Sequence, residues 1–173
     1  MSLRSSPAES VAGFTLTELV MVLAVVGIIS AIAVSRMSND PLVLATQAEQ
    51  LASDIRYVQS LAMTQAALAP AQARYRINFV SASTYTFTMA DGTAVPHPVT
   101  GSAAATSLSS GVTMTLPPAG LANSLVGFDG RGIPYTDAAV AAALAATATI
   151  TLTKNAVTRS VTVAPETGLV RVP

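Results

Sequence analysis

The chain has 173 residues, 51% of them hydrophobic and 10% charged, with nine Lys and Arg balancing nine Asp and Glu. That length suits one ordinary domain, so little charge argues against disorder, and zero net charge lacks the basic signature of a dedicated nucleic-acid binder. With no Cys and one His, disulfides, thiol catalysis and zinc fingers are excluded and a transition-metal site is disfavoured.

Residues 14–34 read FTLTELVMVLAVVGIISAIAV, with the single charge of Glu18. As a helix this run would be about 31 Å long, matching a hydrocarbon core of about 30 Å, so a transmembrane helix is predicted. A secretory signal would carry an apolar run of about 7 to 15 residues and then a small-residue cleavage site. Here the run is longer, and Val34-Ser35-Arg36-Met37 makes no such site. Asn39-Asp40-Pro41 reads as the exit into water. Glu18 is the anomaly, because a carboxylate costs on the order of 3 kcal/mol at the bilayer centre, and less near one end. No Lys, Arg or His lies within 14–34, so its partner is expected from another chain or from a chain terminus.

After Pro41, Leu44, Ala48, Leu51, Ile55, Val58 and Ala62 recur at spacings of 4, 3, 4, 3 and 4, one apolar stripe of a helix. Gln47, Glu49, Asp54, Arg56 and Gln59 are placed on its other faces, and Pro70 ends the pattern. The stripe is expected to pack on the domain's own sheet, with contacts to neighbouring subunits as the alternative.

From Arg74 the period changes to two. Tyr75, Ile77 and Phe79, then Tyr85, Phe87 and Met89, alternate with polar residues around Ser81-Ala82-Ser83, which predicts an antiparallel hairpin. Asp91-Gly92 marks a turn, 93–110 a loop, 112–116 a strand stopped by Pro117-Pro118, and Leu125, Val126 and Phe128 another strand. In Asp129-Gly130-Arg131-Gly132 each Gly is free to take positive φ. The string lacks the Walker spacing and a following Lys-Ser/Thr, so it reads as a turn and not a phosphate loop. The alanine-rich 137–148 is a helical turn or irregular loop. Residues 149–153 and 157–163 form the clearest hairpin, around Lys154-Asn155-Ala156, and Glu166-Thr167-Gly168 turns into a last short strand at 169–172.

Gly13-Phe14-Thr15-Leu16-Thr17-Glu18-Leu19 and the apolar run behind it resemble the prepilin cleavage and methylation motif of type IV pilins and type II secretion pseudopilins. The resemblance implies that a prepilin peptidase cuts between Gly13 and Phe14 and N-methylates Phe14. Glu18 then becomes the fifth mature residue and pairs with the N-terminal ammonium of a neighbouring subunit. Towards the C-terminus, Val126-Gly127-Phe128-Asp129-Gly130-Arg131-Gly132, Arg159-Ser160-Val161-Thr162-Val163 and Thr167-Gly168-Leu169-Val170 are similar to the domain of minor pseudopilin H and FimT-like minor pilins. The fold so implied is α+β and pilin-like, a long N-terminal helix packed on antiparallel sheet through Leu51, Ile55 and Val58. Residues 1–13 would be a leader, 14–34 the transmembrane helix, 35–70 its continuation and 71–173 a periplasmic β-rich domain. With Ser35 where many pilins carry Pro, the helix is expected to run smoothly towards Asn39.

The function implied is a structural one: a minor subunit of a type II secretion pseudopilus or type IV pilus, single-pass in the bacterial inner membrane. Its partners would be the prepilin peptidase, other pilin or pseudopilin subunits and the inner-membrane assembly platform; no cofactor and no metal is called for. No catalytic group is assembled around His97, which sits between Pro96 and Pro98 and is expected to face solvent. The acids are scattered singly, without a paired-carboxylate site or calcium cage, so an enzyme tethered by 14–34 is disfavoured. The alternative is a DNA-binding minor pilin of natural transformation. Some FimT-like proteins use a C-terminal Gly-Arg-x-Arg string, for which this chain has Gly168-Leu169-Val170-Arg171. Arg159, Arg171 and Lys154 are the candidate DNA contacts. From Arg131 onward four basic residues meet two acidic ones, a weak counterion-release term.

Overall fold

A computed structural model describes residues 15–36, 39–65, 74–139 and 141–173. The chain divides into two units, Met1–Ser38 and Asn39–Pro173.

Within the first unit α1 spans Leu16–Arg36. Its side chains are described as far as residue 31, and all of them are exposed; the large apolar ones range from Val22 at 49% to Leu16 at 79%. Among the described residues no helix is long and apolar enough to cross a membrane. The described side chains of α1, residues 16–31, make a run of about 24 Å, and the expected span of 14–34 reaches past them at both ends.

The second unit opens with α2, Asp40–Gln65. Residues 35–70 are therefore not one smooth continuation of the first helix: Asn39 is not helical, and its carbonyl accepts from the Val43 N–H at 2.9 Å. Pro41 explains the break, because it has no N–H to donate and is tolerated only in a helix's first turn. The expected end at Pro70 lies outside the described residues. The apolar stripe is as the spacing predicts, with Leu44, Ala48, Leu51, Ile55, Val58 and Ala62 all essentially inaccessible to solvent.

The β-rich part comprises β1 (Tyr75–Ser81), β2 (Thr84–Met89), β3 (Thr106–Ser107), β4 (Thr113–Met114), β5 (Leu125–Phe128), β6 (Pro134–Tyr135), β7 (Ala148–Lys154), β8 (Val157–Val163) and β9 (Val170–Arg171). Sequence analysis anticipates one sheet; among the described residues there are two, ordered β3-β2-β1-β5-β6 and β4-β7-β8-β9, with their strand pairings antiparallel. Helix α2 packs on both, touching β1 and β5 of one sheet and β7, β8 and β9 of the other. Register sets the inward faces. Ile77 lies opposite Phe87 and Val126, and Phe79 opposite Tyr85, while in the second sheet Ile150 lies opposite Val161 and Ala148 opposite Val163. All of these are buried in one core with the α2 stripe. The alanine-rich stretch after Asp137 contains no helix among its described residues, and Tyr135 bridges to Ala143 there.

Candidate functional site

The resemblance directs attention first to the start of α1. Gly13 and Phe14, the expected cleavage and methylation residues, lie outside the described residues. The Glu18 N–H donates to the Thr15 carbonyl at 3.1 Å and to Thr15 Oγ1 at 3.3 Å. Thr15 is thus the N-cap and Glu18 the third helical residue, the Thr-x-x-Glu spacing of a capping box. The carboxylate therefore stands at the positive end of the helix dipole, a favourable local setting that sequence analysis overlooked although the spacing announces it. Among the described residues its oxygens make no hydrogen bond and no ion pair.

The glycine-bearing motifs near the C-terminus meet on α2. Gln59 Nε2 donates to the Gly132 carbonyl at 2.9 Å and to the Thr167 carbonyl at 3.0 Å, and Arg56 Nη2 donates to the Val170 carbonyl at 3.0 Å. Gly132 has φ +80° and Gly168 φ +64°. Gly130 is not at positive φ, so only the second glycine of Asp129-Gly130-Arg131-Gly132 uses the freedom expected of both. The turn is built on Asp129 instead, whose Oδ1 accepts from the Arg131 and Ile133 N–H groups at 2.9 Å each. That carboxylate occupies the amides a phosphate would need, in agreement with the reading as a turn.

The buried polar cluster lies elsewhere. Asp54 and His97 are 1% and 4% exposed, so His97 does not face solvent and Asp54 is not on a solvated face of its helix. Asp54 Oδ2 accepts from the Tyr85 hydroxyl at 2.6 Å and lies 3.3 Å from His97 Nε2, while Oδ1 accepts from Gln50 Nε2 at 3.1 Å. Burial of the Tyr85 phenol, together with the adjoining carboxylate, pushes its pKa well above the ordinary value. His97 Nδ1 accepts from the Val99 N–H at 3.1 Å and the Thr100 N–H at 3.4 Å. The spacing carried the signal for Asp54, which is three residues from Leu51 and four from Val58 and so shares their face. Nothing in the sequence announced that Pro96-His97-Pro98 would fold back onto it. Both ring nitrogens and both carboxylate oxygens have partners. The trio is an internal brace.

The candidate DNA contacts are not gathered on one face. Lys154 Nζ lies 3.4 Å from Asp40 Oδ1, at the start of α2, and Asn155 Nδ2 donates to Asp40 Oδ2 at 2.8 Å. The β7–β8 hairpin tip thereby clasps the helix N-terminus. Arg159 alternates in phase with Val161 and Val163, whereas Arg171 lies opposite Thr162. Successive residues of a strand point to opposite faces, so the two arginines are on opposite sides of the sheet.

Among the described residues no group of three or more His, Cys, Asp or Glu side chains could hold a metal ion. No protein-family model, no curated protein and no solved structure matches this chain.

Proposed function

We propose that the chain is a minor pilin or pseudopilin: a structural subunit of a type II secretion pseudopilus or type IV pilus, anchored in the bacterial inner membrane with its β-rich unit in the periplasm. One observation carries the reading. Helix α1 exposes large apolar side chains on all its faces, with a single carboxylate in its first turn. A helix apolar all round is at home only when protein or lipid surrounds it. Lipid suits it before assembly and neighbouring subunits suit it afterwards. The GFTLTE string immediately ahead of that run supplies the processing step. The second unit, with its own core and an internal brace, suits a structural subunit.

The test is co-expression with a prepilin peptidase, followed by intact-mass measurement of the membrane-extracted chain. The expected product begins at an N-methylated Phe14, and Gly13→Ala prevents its formation. An unprocessed chain, or one cut near Ser35, overturns the proposal.

A further inference from the structure

The buried Asp54–His97–Tyr85 trio has no part in the proposed assembly role, yet it holds the chain's single histidine. Histidine is the side chain whose ordinary titration falls between about pH 5 and 8. Its two nitrogens stand in different surroundings. Nδ1 accepts from two backbone N–H groups, Val99 at 3.1 Å and Thr100 at 3.4 Å, so the neutral ring carries its proton on Nε2. That Nε2–H points at Asp54 Oδ2, 3.3 Å away. The segment is also closed on itself: the His97 N–H donates to the Ser102 carbonyl at 2.8 Å and the Gly101 N–H to the His97 carbonyl at 2.9 Å. Residues 98–101, between these bonds, are exposed.

We propose that His97 is a pH-sensitive latch: acidification tightens its hold on Asp54 and releases the loop tip at 98–101. A second proton has only Nδ1 to occupy. There it meets the Val99 and Thr100 N–H groups, three donors converging with no acceptor among them, and an unpaired buried donor is costly. The Nε2 side responds in the opposite sense, because imidazolium against a buried carboxylate is a charge-assisted pair. The described groups facing the ring fix which side yields. Helix α2 presents Asp54, along with Tyr57, whose hydroxyl donates to the Pro96 carbonyl at 3.5 Å, and neutral Gln50; β2 presents Tyr85 and Phe87; the loop itself presents no charged side chain. The only full charge among these groups is thus the carboxylate on the α2 side, which holds the cationic ring in place. The exposed tip gives way.

The experiment is a pH titration of the full-length chain in detergent micelles, following the ring nitrogens of His97 and the backbone amides of 97–102 by NMR. At about pH 8 the ring should show a bare Nδ1 and a protonated Nε2. Through the ring's titration the Val99 and Thr100 amides should shift with the same midpoint. Their exchange protection, corrected for the intrinsic rate, should fall about tenfold, as for loss of a hydrogen bond of ordinary net strength. His97→Asn places a non-titrating oxygen near the Nδ1 position and should hold the tip closed at every pH. A proton on Nδ1 at neutral pH, amides that stay fixed while the ring titrates, or loss of the Nε2–Asp54 contact on acidification would each overturn the proposal. The measurement on the unsubstituted chain decides the matter even if His97→Asn does not fold.

Discussion

A Cβ added to Gly168 would lie 2.5 Å from Gln59 Nε2, the atom that carries hydrogen bonds from α2 to both C-terminal turns. The same Cβ would stand 2.6 Å from the Gly132 carbonyl oxygen and 2.9 Å from a ring carbon of Phe128. The glycine is thus required by close approach as well as by its φ of +64°. Gly168→Ala should destabilise the fold by about 1–2 kcal/mol for the left-handed backbone and about 1–3 kcal/mol for overpacking. A loss of unfolding free energy, measured in urea, smaller than the first of these contributions would show that Gln59 swings aside without loss.

The Tyr85 hydroxyl and Asp54 give a prediction at alkaline pH. Burial first, and then the hydrogen bond to the carboxylate, raise the phenol's pKa, so the folded chain keeps its proton where the unfolded chain releases it. The stability this contributes is fully present below about pH 10, the unfolded value, and is lost as the pH rises above it. Tyr85→Phe should cost about 1.5–3 kcal/mol at neutral pH, the range for a hydrogen bond to a charged group. It should also lose less stability than the parent between neutral and strongly alkaline pH. Denaturant titrations at both pH values measure the two effects together.

The hairpin between β7 and β8 turns through Asn155 at φ 47° and Ala156 at φ 66°. Positive φ at both central residues is the type I′ geometry that matches strand twist. Asn tolerates it; Ala bears the full clash of its Cβ with the neighbouring carbonyl. Ala156→Gly should therefore stabilise the fold by about 0.5–1 kcal/mol, the strain relieved less the added entropy of a glycine in the unfolded chain. A rise in Tm checks it, and a fall would place the strain elsewhere.

The fragment Asn39–Pro173 carries the whole described core. It is expected to fold alone as a monomer, and its circular dichroism should show strand as well as the single 26-residue helix. A fragment that precipitates or loses its strand signal would mean that α1 is needed for the second unit to fold.

Periodicity made most of this fold legible. The stripe from Leu44 to Ala62 and the alternation in β1, β2, β7 and β8 are each dictated by one buried face, and a face repeats regularly along the chain. What periodicity could not convey is association across the chain. The two-residue strands β3, β4, β6 and β9 are too short to alternate, and the division into two sheets depends on pairings between distant segments. His97 belongs to the same class: its burial is decided by an aspartate 43 residues away. Glu18 shows the reverse case: the Thr15 cap that receives its backbone N–H is purely local, three residues away, and legible in the Thr-x-x-Glu spacing.

That cap sharpens the prediction for Glu18. The residue has two separable functions: to support the first turn of α1, and, on the proposed reading, to neutralise the Phe14 ammonium of a neighbouring subunit. Thr15→Ala removes only the cap and should cost about 0.5–2 kcal/mol of helix stability. Glu18→Ala removes the carboxylate but keeps the backbone N–H at that position, so the bonds to the Thr15 oxygens remain. It also removes the cost of carrying a charge into lipid, so insertion and cleavage should survive while incorporation into the filament falls. Glu18→Asp keeps the charge on a shorter stem and should be intermediate. The readout is crosslinking or co-purification of each processed variant with the other filament subunits. If Thr15→Ala impairs assembly as much as Glu18→Ala, the residue acts through the helix end alone. If Glu18→Ala assembles as well as the parent, the subunit does not use the pair, and a place at the filament tip, with no ammonium above it to meet, accounts for the result.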